Sequence, residues 1–321
     1  SIVAKQVTFS RPSVSVTTDI DTLAGAMESA SSGDIITLNE DVTISELSIP
    51  AGVEIVLDGK ALTVTTLTVN GTITGMPTLA DGATVSVSAP LVATAIGEYT
   101  CAEGTVVDAS YTVEGKIKFI PLTSAVVSIT QGTTTQYYSN MQSAFAALMA
   151  STDEAVVFTL LTGDVDSETA TTLQGMGYYV SGNTVTRAVA KIVTTTYASL
   201  ADAIVAAENG DTVVLLRASS EAITLTKAIT LTETASYTGE LSGTGTLTLT
   251  ALRSTALSFG EWTGTVVLPA NQTFAGQKFD DYGVEGSVVR LQGDNTGWLD
   301  YYPANNTNSR APVATTVDIP I

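Results

Sequence analysis

The chain of 321 residues contains no histidine and one cysteine, Cys101. A single cysteine cannot form a disulfide within the chain, and a catalytic cysteine needs a neighbouring base, most often histidine. We therefore expect Cys101 to be a buried structural thiol. The sequence also offers no nucleophile beside a base, no metal-ligand spacing and no glycine loop of the kind that binds phosphate.

Basic residues are scarce: 13 Lys and Arg stand against 32 Asp and Glu, which gives a formal net charge of −19. The basic residues are scattered, so neither a nucleic-acid partner nor an anionic membrane surface is expected. The acidity predicts a soluble, self-repelling surface. No segment approaches eighteen uninterrupted apolar residues, so no membrane insertion is expected. Residues 1–6 lack a signal-peptide pattern, which predicts either a cleaved leader or cytoplasmic synthesis.

Aromatic residues make up only 6% of the chain, although 44% of it is hydrophobic. That hydrophobic content is mostly Val, Ile, Leu and Ala, and threonine commonly alternates with it, as in residues 63–69. Such alternation is typical of strands with one buried face and one wetted face. The composition therefore predicts a mainly β protein with enough apolar residues for a core.

One sequence phrase occurs twice. Residues 22–38 recur without a gap as residues 199–215, and a shorter, divergent copy begins at Tyr138. The positions shared by the two close copies are Leu23, Ala26, Ala30, Gly33, Asp34 and Leu38, which match Leu200, Ala203, Ala207, Gly210, Asp211 and Leu215. Three module starts, near residues 20, 138 and 197, are therefore predicted, because a repeated opening is the mark of a modular architecture.

Each close copy predicts a short helix followed by short strands. Residues 2–18 are predicted as strand and residues 19–32 as helix, capped by Asp21 or Thr22 and ended by Gly33. The later copy predicts a helix near residues 199–209. The strands that follow are three to six residues long and do not form obvious hairpins. The favoured fold is mainly β: parallel β-solenoid segments, each opened by a short capping α-helix, with a sandwich or barrel as the alternative for individual modules.

The repeated phrase, with the step formed by residues 55–62, resembles the opening of right-handed parallel β-helix modules of the pectin-lyase-like kind. Residues 22–69 carry the resemblance best, and residues 199–232 carry it again without the Asp-Gly-Lys step. Such modules occur in bacterial surface proteins, phage fibres and polysaccharide-acting enzymes. The resemblance therefore implies a fold more strongly than a function.

Four regions are predicted. Residues 1–125 form a β-solenoid module, residues 126–190 a short divergent α/β module, residues 191–258 a second β-solenoid module, and residues 259–321 an aromatic-rich β region that is a possible assembly contact. The apolar end from Val313 to Ile321 is expected to pack on its own domain or on a neighbouring subunit.

Few side chains are candidates for chemistry. Asp280 and Asp281 lie near Arg290, with Tyr282 and Trp298 as aromatic neighbours that would suit a sugar. Adjacent Asp residues on a strand point to opposite faces, however, and in a loop they usually form turns. Asp164 and Asp166 resemble a loose cation loop without its glycine and glutamate, and Asp34 and Asp211 are expected to bond within turns. No catalytic, cofactor-binding or metal-binding residue and no cofactor is therefore predicted.

The leading hypothesis is a non-enzymatic structural protein on the exterior of a large assembly, most plausibly a phage virion component such as a capsid decoration or head fibre. Its partners would be other copies of itself and other structural proteins, with host-surface glycans as a further possibility. One alternative is a secreted bacterial surface protein, adhesin or layer protein. Another is a glycan-binding or glycan-degrading β-helix that uses the aromatic C-terminal region.

Overall fold

The computed structural model describes residues 5–11, 16–20, 22–293, 295–301, 309–312 and 316–321, and for residues 16–20, 276, 297–301, 309–312 and 317 it describes the backbone alone. The protein is mainly β, which confirms the class predicted from composition. The chain divides into two compact units, Ser1–Gly163 and Asp164–Ile321. This division falls inside the predicted 126–190 region, and the finer scheme of four modules stays a prediction.

The first unit contains fifteen of the described strands and two α-helices. In chain order they are β1 (Val7–Arg11), β2 (Val16–Ile20), α1 (Leu23–Ser29), β3 (Ile35–Leu38), β4 (Val42–Ile49), β5 (Glu54–Val56), β6 (Leu62–Val69), β7 (Thr72–Thr74), β8 (Thr78–Val87), β9 (Leu91–Ala95), β10 (Tyr99–Cys101), β11 (Thr105–Val107), β12 (Ile117–Pro121), β13 (Val127–Gln131), β14 (Thr134–Tyr138), α2 (Met141–Ala150) and β15 (Val157–Leu160).

Parallel ladders form the centre of this unit. Strands β3, β5 and β7 pair in parallel in one ladder, and β4, β6 and β8 pair in parallel in a second. The chain visits the two ladders alternately. After β8, strands β9 and β10 both pair in parallel with it, and β12 then turns back antiparallel to β9 and to β11. The sheet therefore ends on an antiparallel pair whose edge strand is β11.

The second unit repeats this plan. Its elements are α3 (Ser167–Gly175), β16 (Tyr178–Ser181), β17 (Thr184–Arg187), β18 (Ala190–Ile192), β19 (Thr195–Tyr197), α4 (Leu200–Ala206), β20 (Thr212–Leu215), β21 (Ile223–Leu225), β22 (Ala228–Glu233), β23 (Glu240–Gly243), β24 (Thr246–Leu249), β25 (Ser258–Trp262), β26 (Thr265–Leu268), β27 (Thr273–Lys278), β28 (Val288–Leu291), β29 (Thr296–Tyr301), β30 (Ser309–Pro312) and β31 (Val317–Pro320).

The longest parallel ladder runs through β20, β22, β24, β26 and β28. It continues past residue 258, where the sequence suggested a boundary. Strands β21, β23 and β25 form a second parallel ladder, and β27 pairs in parallel with β29. The unit ends with antiparallel pairs, β31 on β28 and β30 on β29. The C-terminal strand thus pairs within its own unit, one of the two expectations for it; residues 313–315 lie outside the described residues.

The alternation of threonine with aliphatic residues places the aliphatic side chains in the core and the threonines on the opposite face of the sheet, as a period of two residues predicts. Val213, Leu231 and Leu249 are aligned on successive strands and are at most 2% exposed. Thr212, Thr230 and Thr248, one position earlier, form the neighbouring outward column. Each inward aliphatic side chain contributes about 1.5–3 kcal/mol of burial free energy. The core of each unit is therefore a set of columns that run across the strands.

The repeated phrase corresponds to one motif that occurs three times: a two-stranded hairpin, a helix, and a strand that returns antiparallel to the first hairpin strand. Its copies are β1-β2-α1-β3, β13-β14-α2-β15 and β18-β19-α4-β20. Equivalent residues are aligned across the three strands as Val7–Ile20–Leu38, Val127–Tyr138–Leu160 and Ala190–Tyr197–Leu215. The sequence repeat therefore corresponds to three structural copies, which begin at Val7, Val127 and Ala190 rather than near residues 20, 138 and 197.

Each helix begins at a polar cap that accepts a hydrogen bond from a backbone N–H three residues later. The caps are Thr22, Asn140 and Ser199. Helix α1 packs on β4 and helix α4 packs on β21, the first strands of their ladders. A helix in that position covers the backbone N–H and C=O groups of the first strand, which have no preceding strand to pair with. Helix α2 packs on β13 and β14.

Two predictions at the N-terminus are wrong in detail. Residues 7–11 and 16–20 form two antiparallel strands rather than one strand, and the helix runs from Leu23 to Ser29 instead of from residue 19 to residue 32. The cap is Thr22; Asp21, Ile2, Val3 and Val14 lie outside the described residues. The register of β2 with β1 holds Asp19 and Ile20 extended, because both pair with residues of the preceding strand.

Candidate functional site

The most highly connected polar side chain of the first unit is Asp108, which directly follows β11 and is 1% exposed. Its Oδ1 accepts hydrogen bonds from the backbone N–H groups of Ser110 and Ser139, each at 3.0 Å. Its Oδ2 accepts hydrogen bonds from Ser139 Oγ at 2.5 Å and from Lys118 Nζ at 2.9 Å. We call Asp108, Ser110, Lys118 and Ser139 the Asp108 cluster. Each carboxylate oxygen of Asp108 accepts two hydrogen bonds within it.

Three separate segments bring these groups together. Lys118 lies on β12, which pairs with β11, and the backbone N–H of Asp108 donates to Lys118 O at 2.9 Å. Ser139 lies between β14 and the helix cap Asn140, whose own N–H donates to Ser110 Oγ at 3.0 Å. The Asp108 cluster therefore ties the end of the first parallel sheet to the start of the second copy of the repeated motif.

Burial opposes ionisation of Asp108, but the hydrogen bonds from Ser139, Lys118 and the backbone outweigh it and lower its pKa to about 2. A carboxylate that binds a proton so weakly is a poor general base at neutral pH, so it does not activate the Ser139 hydroxyl. A cavity of about 400 Å³ opens beside the cluster, lined also by Tyr111 and Gln142. The geometry thus suits a structural junction better than a reaction centre.

The second unit contains a comparable network around Arg253, whose side chain is 6% exposed. Arg253 forms an ion pair with Glu233, and its guanidinium donates to the backbone carbonyls of Tyr237, at 2.5 Å, and Thr255, at 3.3 Å. Glu233 Oε1 in turn accepts from the backbone N–H of Tyr237 at 2.9 Å. The pair therefore fastens two loops that follow β22 and β24, beside a cavity of about 250 Å³.

The C-terminal acidic group considered in the sequence is dispersed. Asp281 Oδ2 accepts from the backbone N–H of Lys278 at 3.0 Å, and Asp280 is exposed. Arg290 pairs instead with Asp318, with Nε–Oδ1 2.6 Å and Nη2–Oδ2 2.8 Å. This ion pair lowers the pKa of Asp318. The fold does not bring these residues together as an acid–base pair.

Four of the five C-terminal aromatic side chains that the structure describes lie in the core. Trp262, Phe274, Phe279 and Tyr282 are at most 2% exposed. The Tyr282 hydroxyl is directed to the backbone carbonyl of Arg253 at 3.4 Å. These four rings are therefore not available to stack on a sugar. The side chains of Trp298 and Tyr301, and all of Tyr302, lie outside the described residues.

The other aspartates of interest bond to nearby backbone. Asp34 Oδ2 accepts from Ser31 N and Asp211 Oδ2 from Glu208 N, both at 2.8 Å, which confirms their expected turn role. Arg11 also forms a bidentate pair with Asp34 and lowers its pKa. Asp166 is the exposed N-cap of α3, and hydrogen bonds from Thr169 lower its pKa.

Cys101 is partly buried rather than fully buried as expected, and burial raises the pKa of its thiol. It lines a cleft of about 410 Å³ together with Tyr99, Thr105 and Tyr137. A raised pKa keeps the thiol protonated at neutral pH, so it is a weak nucleophile there.

Hydroxyl side chains form columns on the outward face of β4, β6 and β8. One column is Thr43, Thr63, Thr78 and Thr94, in which the hydroxyls of Thr78 and Thr94 lie 3.1 Å apart. A neighbouring column contains Thr66, Thr84 and Thr100, with 3.2 Å between the last two hydroxyls. Glu46 continues the second column on β4, so this face presents regularly spaced hydroxyls and one carboxylate, at the interstrand spacing of about 4.8 Å.

Sequence reasoning did not single out Asp108, Lys118, Glu233 or Arg253. Each pair unites residues 10 or 20 positions apart that are adjacent only once the strands have paired. One available signal was the scarcity of basic residues: with 13 in the whole chain, each Lys or Arg beside a strand was worth testing as an ion-pair partner.

In the part of the chain that the structure describes, no three or more Cys, Asp or Glu residues are grouped so that they could hold a metal ion. No described helix is both long enough and apolar enough to cross a membrane. Comparison of the chain with protein-family models, curated proteins and solved structures gave no match.

Proposed function

We propose that the chain is a non-enzymatic structural protein that forms a modular part of the exterior of a large assembly, a virion component such as a capsid decoration or head fibre. The observation that carries the proposal is the threefold use of one motif, each copy starting a β-rich segment. A structural protein of this kind holds other surfaces of the assembly in place, and repeated modules suit that role better than a binding pocket does.

The proposal includes the fold assignment: the parallel ladders are coils of a β-solenoid that resembles pectin-lyase-like modules. Support comes from the register, which advances 18 residues from Thr212 to Thr230 and again from Thr230 to Thr248. The first unit takes similar steps from Ile36 to Ile55 to Ile73. The later steps of the β20–β28 ladder are 19 residues, from Thr246 to Thr265, and 23 residues, from Thr265 to Val288. Steps of about one coil with alternate visits to two ladders are what successive coils of one solenoid require.

The polar networks support a scaffold role as well. The side chains of Asp108, Glu233 and Arg253 form hydrogen bonds with nearby backbone groups, so they hold segments of the chain in place. Few of their donors and acceptors are left to bind a substrate. The outward hydroxyl columns and the net charge of −19 supply a wetted surface that resists non-specific association.

Immunogold electron microscopy tests the location. Antibodies raised against the purified chain would be applied to intact phage particles and to whole cells from the source culture, with antibody preadsorbed on the chain as the control. We expect label on the particle exterior. Label on the cell envelope alone would favour the surface-protein alternative, and label confined to the cell interior would contradict both.

A glycan assay tests the assignment as a non-enzyme. The chain would be incubated with a panel of neutral and acidic polysaccharides, and we expect no new reducing ends. Turnover that is lost in an Asp281→Ala variant, but retained in Asp280→Ala, would replace the structural proposal with the glycan-degrading one.

A further inference from the structure

The outer hairpin strand of the second motif copy, β14, contacts the edge strand of the preceding sheet, β11. The backbone N–H of Ala109 donates to Tyr137 O at 2.7 Å, and Asp108 and Tyr137 form a parallel bridge. Ser139, two residues later, completes the contact through both oxygens of Asp108. A sheet edge and a hairpin edge therefore meet at this junction.

The third motif copy also meets a sheet edge at this place, through a side-chain hydrogen bond rather than a backbone one. Its outer hairpin strand, β19, contacts β16, which is the edge strand of the antiparallel pair β16–β17. Thr196 is 2% exposed, and its Oγ1 donates to Tyr178 O at 2.8 Å. Tyr137 and Thr196 hold the same place in their motifs, three residues before the helix caps Asn140 and Ser199.

The first motif copy has the same outer strand, β2, at the edge of its sheet. Asp19 holds the position of Tyr137 and Thr196, three residues before the cap Thr22. It pairs with Thr8 as Tyr137 pairs with Ser128 and Thr196 with Lys191. In the described residues, β2 pairs on one side only, with β1.

The last sheet of the chain ends on an antiparallel edge strand, as do the sheets that β14 and β19 contact. Its edge strand β31 pairs antiparallel with β28. Ile321 N–H donates to Ser287 O at 3.0 Å, so the backbone of Ile321 faces β28. Because strand residues alternate, the backbone groups of Asp318 and Pro320 face away from β28, and of these two residues only Asp318 has an N–H to donate. The Asp318 carboxylate is paired with Arg290, which reduces the local negative charge at this edge.

We propose that the β2 edge of one copy binds the β31 edge of a second copy, so that the chains associate head to tail through an edge contact of the kind that the molecule already uses twice internally. The pairing is edge-to-edge strand addition, in which backbone hydrogen bonds supply the contact. Such a contact joins two different surfaces, so it extends into a ring or an open filament rather than stopping at a symmetric dimer. The inference deepens the proposed structural role and rests on it.

Two edge-blocking variants of the full chain test the proposal. Asp19→Pro removes an N–H that faces outward from β2, and Asp318→Pro does the same on β31. By sedimentation velocity over a wide concentration range, the unmodified chain is expected to associate beyond a dimer, and each variant alone to stay monomeric. An equimolar mixture of the two variants is expected to form a dimer and nothing larger, since one free edge of each kind remains.

Asp19→Asn and Asp318→Asn are the matched controls, because they remove the same charge and keep the backbone N–H; both are expected to associate as the unmodified chain does. Circular dichroism checks that each variant is folded, and the Asp318 variants test the contact even where Asp19→Pro does not fold. A monomeric unmodified chain, or association that survives Asp318→Pro, overturns the inference. Immunogold label on an assembly exterior together with a monomeric chain would reject this contact and leave the structural role standing.

Discussion

At the residue scale, the polar groups inside this protein are used to fasten segments that are distant in sequence. Asp108 accepts hydrogen bonds from three residues, and Arg253 binds Glu233 and two backbone carbonyls. A buried charge with every hydrogen bond made stabilises one arrangement, whereas removal of one partner leaves the other unpaired. These residues are therefore where single substitutions are expected to have the largest effect.

Asp108→Asn is expected to lower the free energy of unfolding of the first unit by about 2–3 kcal/mol at pH 7. The carboxyl pKa is about 2 in the folded protein against 3.8 ordinarily, and each unit of difference corresponds to about 1.4 kcal/mol. Because the folded pKa is the lower one, this stabilisation is complete above about pH 4 and is lost as the pH falls towards 2. Urea unfolding at pH 7, 4 and 2.5 measures it.

Exposed Glu103, in the same unit, supplies the control for Asp108. Glu103→Gln removes one negative charge and is expected to change stability by less than about 0.5 kcal/mol. Both tryptophans of the chain, Trp262 and Trp298, belong to the second unit. Unfolding of the first unit is therefore followed by far-UV circular dichroism. Equal losses in the two variants would show that Asp108 has no special role.

Arg253→Met is expected to destabilise the second unit by about 3 kcal/mol, since Glu233 and the Tyr237 carbonyl lose their partner in a largely buried setting. The double variant Arg253→Met, Glu233→Leu is expected to recover part of this loss. Denaturant unfolding followed by tryptophan fluorescence, arranged as a double-mutant cycle, gives the coupling energy. Additive effects of the two substitutions would contradict the network.

At the element scale, the repeated motif shows which features a local sequence can specify. The caps Thr22 and Ser199, the apolar helix positions and the turn glycines were predictable because their causes lie within a few residues. The hairpin before each helix was missed. Strand β2 ends two residues before the cap, and β19 is only three residues long, so neither gives a clear period-two pattern before its pairing with β1 or β18 is known.

Gly210→Ala is expected to destabilise the second unit by about 1–2 kcal/mol, although an added methyl group meets no atom within 4 Å. The reason is the backbone: φ is +93° at Gly210, a conformation that residues with a side chain adopt only with strain. Thermal unfolding measures the effect. Gly175→Ala, at the end of α3 with equally open space and without a positive φ, is the control and is expected to be neutral or slightly stabilising.

At the scale of the whole molecule, each unit is organised around parallel ladders with antiparallel strands at their ends. The inward columns supply the burial, and the helices and terminal strands cover or occupy edges that would otherwise be open to pairing. What distinguishes the middle copy of the motif is its continuation. All three helices pack on their own hairpins, but α1 and α4 also pack on a following ladder strand, β4 or β21, and in the described residues α2 does not pack comparably on one. Met141 is exposed where the equivalent Leu23 and Leu200 are fully buried.

Head-to-tail association is expected to strengthen as salt is raised. Each chain carries a formal charge of −19, so two chains repel at low ionic strength, and about 0.15 M salt limits that repulsion to about 8 Å. Sedimentation velocity at 10 mM and 300 mM sodium chloride measures the shift. A weakened association at high salt would indicate that ion pairs, rather than strand edges, hold the copies together, and an unchanged one would show that repulsion between the chains does not limit association.

The sequence by itself determined the β class, the existence of the repeat and the turn role of Asp34 and Asp211, because each of these depends on neighbours within one helical turn or one strand. Only the tertiary structure decided that Asp108 meets Lys118 and Ser139, that Arg290 meets Asp318, and that the C-terminal aromatics enter the core. Those contacts depend on which strands become adjacent. Strand alternation specifies a buried face but leaves the choice of partner strand to the packing of the whole unit.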